Sequence, residues 1–513
     1  MSTTAVWILV TIICYLIMMI VIGAVFSKKN RSSDDFYLGG RHLGPLVTAM
    51  SAEASDMSSW LLLGLPGLAL ITGLAEATWT AIGLAIGTYL NWLFVAKRLR
   101  IYTKRLDAVT IPDFFAKRFG DKAHILTLIS AIFIVVFFVP YTASGFVGCG
   151  KLFSSIFGID YVTAMLICAL VIALYCILGG FLAASTTDFI QSIIMTIALI
   201  TVLGFSFKVA GFNTIIENAK SIEGFTNIFQ SCNVTDGTVG SYGALPIAST
   251  LAWGLGYFGM PHIILRFMAI EDEKKLPISR RVGSIWVVVS MSVAIFIGVC
   301  GYTLMKNGIV PSYATNADSE RIIIDIAQKI ASYGALPAII GGVILAGILA
   351  SAMSTADSQL LAASSSVTQN IVQEFFHVKL SQKASIILAR VMVLVIAVIA
   401  VFLATNPDSS VFRIVSFAWA GFGATFGPAI LFSLFWKRAN LPGVLCGMIG
   451  GGVVIFVWKF AVRVAFAGTW LDIYELLPAF LVNTILVIVV SLLTKAPSKE
   501  ITDEFDKVAA EAK

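Results

Sequence analysis

Long apolar runs recur along the whole 513-residue chain, and they limit its possible folds more than any other feature. A run of about 20 apolar residues spans a bilayer as a helix, in which every backbone polar group is satisfied inside the segment. We count thirteen such runs and predict an all-α polytopic membrane protein with thirteen transmembrane helices. The predicted spans are residues 6–26, 43–71, 75–96, 125–150, 162–182, 189–209, 242–265, 282–305, 334–353, 386–404, 411–435, 441–462 and 473–493.

The composition excludes a soluble protein of this length. Hydrophobic residues make up 58% of the chain and charged residues 12%, against about 25% charged in an average soluble domain. The net charge of +6 therefore belongs to loops at the membrane surface rather than to a nucleic-acid interface. The seven cysteines and four histidines form neither a CxxC nor an HExxH pattern. We predict no enzyme activity, no cofactor and no nucleic-acid partner, with the lipid bilayer as the surrounding medium.

The distribution of basic residues predicts the orientation. An odd number of spans places the two termini on opposite sides of the membrane. If the N-terminus is outside, about 26 of the 35 lysines and arginines fall in inside segments, where positive charge concentrates. We therefore expect an outside N-terminus and a cytoplasmic C-terminus. The final segment, 495–513, mixes charged residues with alanine and predicts a solvated or peripheral helix.

The second span carries polar residues that lipid penalises. Residues 51–60 contain Glu53, Asp56 and four serines, and glycines and a proline follow at 64–67. A carboxylate at mid-bilayer costs several kcal/mol unless it faces protein, water or an ion. A helix unwound at this point leaves backbone carbonyls free to coordinate a cation. The alternative is that the two carboxylates only pair with neighbouring helices.

The seventh span is interrupted as well. Residues 253–261 contain three glycines and end at Pro261, which removes a backbone donor. Aromatic residues between the glycines suit a gate or a stacking surface for a small solute. The alternative is that the glycines only let helices approach closely, which is a common use of small residues in membranes.

The ninth span carries a stripe of hydroxyl groups. Ser351, Ser354, Thr355 and Ser358 stand at i, i+3, i+4 and i+7, which puts them on one helix face. Neutral oxygen ligands of this kind suit a hard monovalent cation. Hydrogen bonding between helices explains the same stripe without an ion.

Spans 2 and 7 each open a block of five spans, and the two blocks begin on opposite sides of the membrane. Inverted repeats with discontinuous first helices have this arrangement, and they bind the coupling ion and solute near the midplane. The residues therefore predict an ion-coupled secondary transporter for a small polar solute. A channel is disfavoured because the polar residues cluster at one depth. The predicted segments are 1–42 (first helix and loop), 43–209 (first repeat), 210–241 (external loop), 242–435 (second repeat), 436–493 (last two spans) and 494–513 (tail).

Seven motifs resemble those of the sodium:solute symporter family, in order and at similar spacing from about residue 8 to about residue 497. They are FYLGGRHLGP (36–45), ASDMSSW (54–60), GGFLA (179–183), WGLGYFGMPH (253–262), RFMA (266–269), MST (353–355) and WAGFG (419–423). The resemblance implies a bacterial plasma-membrane symporter with a leucine-transporter-like five-plus-five inverted repeat. It implies sodium as the coupling ion and, from the proline branch of the family, L-proline as the solute.

The resemblance also implies the roles of individual residues. The sodium ligands it implies are the carbonyls of Ala54, Met57 and Ser351 and the hydroxyls of Ser354 and Thr355. Asp56 and Ser58 are implied to lie beside that site, and Asp188 near the inner ion path. The residues implied around the solute are Ser59, Trp60, Tyr141, Trp253, Tyr257, Met260 and Pro261.

Three positions depart from the family pattern. Ser59 stands where the proline branch usually has glycine, Met260 where it usually has glutamine, and Glu53 where a small residue is typical. The first two lie close to the implied pocket, so another small amino acid or a small carboxylate is the alternative solute.

Overall fold

The computed structural model describes residues 3–27 and 33–512, which form a helical bundle with one small hairpin. The predicted segment 1–42 includes Lys28, Lys29 and Arg31, which the orientation argument counts and which lie outside the described residues. The α-helices are α1 Thr3–Ser27, α2 Ser33–Leu38, α3 Pro45–Asp56, α4 Leu65–Thr72, α5 Leu74–Leu90, α6 Ala96–Arg105, α7 Ile111–Phe119, α8 Ile125–Phe157, α9 Tyr161–Ala210, α10 Phe212–Ser221, α11 Ala244–Leu251, α12 Pro261–Ala269, α13 Leu276–Lys306, α14 Asn316–Ser319, α15 Ile322–Ala331, α16 Ala335–Ser365, α17 Gln382–Leu403, α18 Val411–Phe435, α19 Leu441–Val457, α20 Arg463–Ala465, α21 Leu476–Leu493 and α22 Lys499–Glu511.

Tighter or wider turns continue several of these helices. The 3₁₀ segments are Gly39–Arg41, Ala252–Gly259 and Glu273–Lys275, and the π segments are Trp60–Gly64, Asn91–Val95, Ser366–Phe375 and Trp458–Val462. The strands β1 Gln230–Asn233 and β2 Thr238–Ser241 pair antiparallel.

The prediction of a helical polytopic membrane fold is confirmed. Within the described residues, 10 helices are long and apolar enough to cross a membrane, or 11 if one bent pair counts as a single span. The bent pair is Pro45–Asp56 with Trp60–Thr72, and Tyr161–Ile177 is a shorter apolar helix. Many large apolar side chains are exposed on the outside of the bundle, such as Phe402 at 72%. A soluble fold does not expose apolar surface on this scale.

Some helices extend well beyond the apolar runs in the sequence. The ninth predicted span ended at residue 353, but α16 continues to Ser365 and then as a π segment to Phe375. The fifth and sixth predicted spans are parts of α9, which breaks at Gly180 (φ 64°). Only glycine adopts this left-handed conformation readily. The polar end of α16 is helical because it packs against protein rather than lipid.

The two ends of the helical bundle differ in what covers them. The continuous segment Leu74–Arg105 runs from the β1–β2 hairpin to α22. Next to the hairpin, the Leu74 N–H donates to the carbonyl of Phe225, in the turn before β1, at 2.8 Å. At the other end the Arg105 guanidinium pairs with the Glu504 carboxylate at 2.5 Å. We name these ends the hairpin side and the tail side.

The tail helix α22 is docked rather than free. Its Phe505 and Val508 side chains are buried, and the Arg98 and Arg118 guanidinium groups lie 5.2 and 5.1 Å from the Phe505 ring centroid. The Lys97 ammonium donates to the Ala512 carbonyl at 2.8 Å. Lys437, in the loop after α18, pairs with Asp506 on the helix. The tail helix therefore attaches to both α6 and the end of α18.

Candidate ion and solute site

Span 2 is broken where the polar residues occur. Helix α3 ends at Asp56, Met57 has non-helical dihedrals (φ −75°, ψ 60°), and the chain resumes as the π segment Trp60–Gly64. The two helical parts are bent by 59°. Serine hydroxyls compete for backbone hydrogen bonds and Pro66 removes a donor, so this sequence does not support a continuous helix.

The hydroxyl stripe of α16 meets the end of α3. The Ser354 hydroxyl donates to the Ala54 carbonyl at 2.8 Å, so two of the five predicted sodium ligands are in direct contact. The Thr355 hydroxyl donates to the Ser351 carbonyl at 3.2 Å within its own helix. All four groups are buried, as is Met57 at the break. The five predicted ligands thus lie on the two elements that meet here.

Asp56 accepts hydrogen bonds from three aromatic side chains at the break. Its side chain is 1% exposed, and the Tyr257 hydroxyl donates to its Oδ2. Its backbone carbonyl accepts from the Trp60 indole at 3.2 Å and from the Tyr141 hydroxyl at 3.3 Å. Within the part of the chain that the structure describes, Oδ1 has no hydrogen-bond partner. A buried carboxylate with a free oxygen is suited to a nearby cation.

The two serines beside the break differ in their contacts. The Ser58 hydroxyl accepts weakly from the Trp60 N–H at 3.5 Å. The Ser59 hydroxyl is fully buried and, among the described residues, has no hydrogen-bond partner. A Cβ at Gly148 of α8 would stand 3.1 Å from the Ser59 Cβ, so Ser59 faces that helix closely.

Aromatic side chains form a connected wall over Asp56. The ring centroids of Trp60 and Trp253 are 6.3 Å apart, and Tyr257 packs edge-on to Trp419 at 5.1 Å. The Trp419 indole donates to the Trp253 carbonyl at 2.8 Å. Four of the predicted solute residues (Trp60, Tyr141, Trp253 and Tyr257) therefore lie within one set of contacts around Asp56.

Span 7 also breaks, and its glycines serve packing. Helix α11 gives way to the 3₁₀ segment Ala252–Gly259, Met260 is extended (ψ 106°), and Pro261 starts α12. A Cβ at Gly254 would overlap the Gly83 carbonyl of α5, which confirms the close-packing interpretation at that position. Met260 and Pro261 are buried at the break, but among the described residues no hydrogen bond or ring contact joins them to the Asp56 cluster.

Asp188 belongs to a separate buried network nearer the tail side. Its Oδ2 accepts from the Ser51 hydroxyl at 2.7 Å and from the Arg266 guanidinium at 3.1 Å. The same guanidinium donates to the Ser358 hydroxyl at 2.5 Å. The network therefore ties α3, α9, α12 and α16 together at one point, and the arginine compensates a carboxylate that is wholly buried.

Glu53 lies one turn before Asp56 and points to other helices. The Trp92 indole donates to its Oε1 at 2.7 Å, and a Cβ at Gly283 would stand 2.9 Å from the same oxygen. The Glu53 Oε1 atom thus has a neutral indole as its partner, and among the described residues the buried Oε2 atom has no hydrogen-bond partner.

Comparison with known proteins decides the family. Residues 36–451 match the sodium:solute symporter family. The chain belongs to this family. It is 42% identical over 506 residues to a sodium/proline symporter of Salmonella typhimurium, across 98% of this chain and 96% of that protein. It is also 42% identical over 496 residues to the osmoregulated proline transporter OpuE of Bacillus subtilis, across 96% of each chain.

Solved structures agree on the fold of this sodium:solute symporter. The substrate-bound outward-open state of a Na⁺-coupled sialic acid symporter matches with a TM-score of 0.77 at 17% identity, over 96% of this chain and 99% of that chain. The nucleobase-cation-symport-1 family transporter MHP1 matches with a TM-score of 0.54 at 12% identity, over 93% and 99%. At these identities the likeness shows the fold alone.

Sequence reasoning missed several contacts of this symporter. The WAGFG motif was given no role in the predicted site, yet Trp419 contacts two predicted solute residues. Neither Arg266, which pairs with Asp188, nor Tyr474, which stacks on Trp253 at 5.1 Å, was assigned a partner. A basic residue inside an apolar segment is itself a signal that a buried acid lies nearby.

Proposed function

We propose that this symporter uses the inward movement of sodium to take up L-proline across the bacterial plasma membrane by alternating access. The observation that carries the proposal is the contact of Ser354 with the Ala54 carbonyl beside the buried, partly unpartnered carboxylate of Asp56. Relatives named as sodium/proline symporters over nearly the full chain support proline as the solute. No enzyme activity and no cofactor are part of the proposal.

The proposed sodium site combines the two broken elements. Its ligands are the carbonyls of Ala54, Met57 and Ser351 and the hydroxyls of Ser354 and Thr355. Asp56 supplies the negative field beside the site, with Ser58 next to it. Sodium bound here replaces the Ser354–Ala54 hydrogen bond with ion–oxygen contacts that tie α3 to α16. Asp188 lies on the tail side of this site, along the proposed route by which the ion leaves.

The proposed solute site lies under the aromatic wall. Trp60, Tyr141, Trp253 and Tyr257 would enclose the proline ring, and aromatic faces attract its secondary ammonium by about 0.5–2 kcal/mol. Ser59, Met260 and Pro261 complete the proposed lining. Backbone amides at the span 7 break suit the carboxylate, because broken helices present such donors in transporters of this architecture.

The proposed topology counts thirteen transmembrane helices. It adds Tyr161–Ile177 and the interrupted segment 244–269 to the eleven spans of sufficient length and apolarity. The segments 43–209 and 242–435 form the proposed leucine-transporter-like inverted repeat, with 1–42 before it. The segments 210–241, 436–493 and 494–513 are the proposed external loop, last two spans and tail. The hairpin side is then external and the tail side cytoplasmic, with the N-terminus outside.

Coupling follows from differential affinity. A ligand shifts a conformational equilibrium only by the difference in its affinity for the two states. Sodium must therefore bind the outward-facing form better, and by linkage it raises proline affinity. One positive charge moving inward gains about 2.3 kcal/mol per 100 mV, which drives accumulation.

The direct test is uptake by the purified protein in liposomes with an imposed sodium gradient. We expect labelled L-proline to accumulate only with sodium, and faster when the interior is made negative. A competition panel of other small amino acids and carboxylates identifies the solute. Sodium-dependent uptake of another solute without competition by proline would contradict the proline assignment and leave sodium symport intact.

Replacing Ser354 with alanine is expected to raise the sodium concentration for half-maximal uptake about tenfold, because one oxygen ligand is lost. The apparent proline affinity at saturating sodium should change less, and Thr355→Ala should act in the same direction. Initial uptake rates across a sodium titration measure both quantities.

The matched control is Ser364→Ala, because Ser364 is buried on the same helix but its hydroxyl donates only to the Leu361 carbonyl at 2.9 Å. Unchanged sodium activation in Ser354→Ala would remove that hydroxyl from the proposed ligands.

A further inference from the structure

Glu53 is a second buried acid beside the proposed sodium site. It stands three residues before Asp56 on α3, which puts the two carboxylates on one face of the helix, about one turn apart. Both side chains are 1% exposed, and they are near enough for their negative charges to repel each other. The sodium ion proposed between α3 and α16 brings a single positive charge to these two acids.

Protein groups do not supply the missing positive charge. Glu53 accepts at Oε1 from the Trp92 indole at 2.7 Å, and Asp56 accepts at Oδ2 from the Tyr257 hydroxyl. Among the described residues, neither carboxylate forms an ion pair, and the Glu53 Oε2 and Asp56 Oδ1 atoms have no hydrogen-bond partner. A charge buried without a counter-charge is strongly disfavoured, so one more cation is needed beside these acids.

A proton fixed on Glu53 does not account for its contacts. Oε1 accepts from the indole, so the proton would sit on Oε2, and that atom has no acceptor within the part of the chain that the structure describes. A buried hydroxyl without an acceptor carries its full desolvation penalty. A glutamine would accept from the Trp92 indole equally well without a charge. Hydrogen bonding to Trp92 therefore does not explain why this residue is an acid.

The Thr88 hydroxyl on α5 offers a second oxygen at the same place. It lies next to the Glu53 carboxylate and the Tyr257 hydroxyl, and its side chain is 1% exposed. Helical threonines commonly donate to the carbonyl one turn earlier, as Thr72 does to Leu68 at 2.9 Å. Among the described residues, the Thr88 hydroxyl forms no such bond. A carboxylate oxygen and a hydroxyl oxygen, both buried and both free, are the ligands that a hard cation takes.

Packing holds the Glu53 carboxylate in one orientation. The Phe267 ring lies 4.4 Å from the Trp92 ring, centroid to centroid, and so fixes the indole that donates to Oε1. Helix α13 closes over this pair at Gly283, where a Cβ would stand 2.9 Å from Oε1 and 3.3 Å from the indole nitrogen. The carboxylate is therefore held at Oε1, and Oε2 remains available to another ligand.

We propose that the Glu53 Oε2 atom and the Thr88 hydroxyl are ligands of a second sodium ion, which binds between α3 and α5, whereas the first binds between α3 and α16. The proposal rests on the proposed function, because it takes sodium to be the coupling ion. Two sodium ions balance the two buried acids, and each transport cycle then carries two positive charges inward with one solute molecule.

The first test measures the number of charges that move with each solute molecule. Liposomes with the protein hold equal sodium on both sides and a tenfold higher concentration of L-proline inside, and the membrane potential at zero net proline flux is recorded. One charge predicts an interior negative by about 60 mV, and two charges predict about 30 mV. We expect about 30 mV for the wild type and about 60 mV for Glu53→Gln. A merely structural role of Glu53 would change the rate of uptake but not this potential.

The second test counts sodium without transport or solute. Equilibrium binding of radioactive sodium to the purified protein should give two ions per wild-type chain and one ion in Glu53→Gln. Thr88→Val keeps the shape of the side chain and removes its hydroxyl, so it should bind the second ion about tenfold more weakly. Because the count needs no solute, it holds even if the solute is not proline.

Two control variants lie away from the second sodium site. Glu217→Gln removes an exposed acid from α10, and Thr201→Val removes a hydroxyl that donates only to the Ile197 carbonyl at 2.7 Å on its own helix. Both should bind two ions.

The number of bound ions separates the possible outcomes. One sodium ion per wild-type chain would overturn the second site, even if two charges move, because the second cation would then be a proton. Two ions in Glu53→Gln would also overturn it, because the carboxylate would not be a ligand. If the wild type binds no sodium, the proposed function fails and the second site fails with it.

Discussion

Asp56→Asn is expected to lower sodium-dependent uptake about 100-fold at physiological sodium. The carboxylate is 1% exposed and lies beside the proposed sodium ligands, so its charge is poorly screened and water does not replace it. Removing one member of a buried charge pair costs about 2–5 kcal/mol, and 1.4 kcal/mol is tenfold. Initial uptake rates across a wide sodium titration, normalised to the amount of protein in the membrane, measure the loss.

The comparison variant is Asp56→Glu, which keeps the charge and should retain more activity than Asp56→Asn. Tyr257→Phe separates charge from hydrogen bonding, because it removes the hydroxyl that donates to Asp56 and leaves the carboxylate in place. Near-normal sodium activation in Asp56→Asn would place the functional charge elsewhere, and Glu53, one turn earlier, is the next candidate.

Arg266→Gln is expected to destabilise the protein by about 3–5 kcal/mol, because it leaves the Asp188 carboxylate buried without a compensating charge. The guanidinium also donates to the Ser51 hydroxyl at 3.0 Å and the Ser358 hydroxyl at 2.5 Å, so α3, α9 and α16 lose their common partner on α12. The apparent midpoint of thermal unfolding in detergent, compared with wild type at equal protein concentration, measures the effect.

The double variant Arg266→Gln with Asp188→Asn is the control that isolates the ion pair. Removing both charges eliminates the uncompensated Asp188 carboxylate, so the double variant should be more stable than Arg266→Gln alone. Strictly additive losses would mean that the two residues do not depend on each other, in contradiction to their 3.1 Å contact.

The sequence predicted which helices are irregular better than it predicted which residues those helices contact. Serines, two acids and Gly/Pro residues in an apolar run are incompatible with a continuous lipid-facing helix, so the break after Asp56 was predictable. The stripe of Ser354 and Thr355 predicted which face of α16 is polar. Periodicity identifies the face of a helix but not the helix that it meets.

The missed contacts join residues that are far apart in the chain. Arg266 and Asp188 are 78 positions apart, and Trp419 and Trp253 are 166 apart. Each contact depends on the rotation of two helices about their axes, and that rotation is set by packing across the whole bundle. The apolar runs also underestimated the length of α16, because its last turns are polar and are covered by other helices rather than by lipid.

The docking of α22 restrains how far two distant parts of the chain can separate. The tail helix holds Arg105, at the end of α6, through Glu504, and Lys437, after α18, through Asp506. A rearrangement that separates Arg105 from Lys437 must break one of these two ion pairs. The tail helix then moves with the residue to which it stays paired. The two pairs are partly exposed and weaken as ionic strength rises, whereas the Phe505 ring is buried against the Arg98 and Arg118 guanidinium groups and this contact is screened much less. The tail helix is thus a tether whose exposed ion pairs respond to salt more strongly than its buried aromatic contact does.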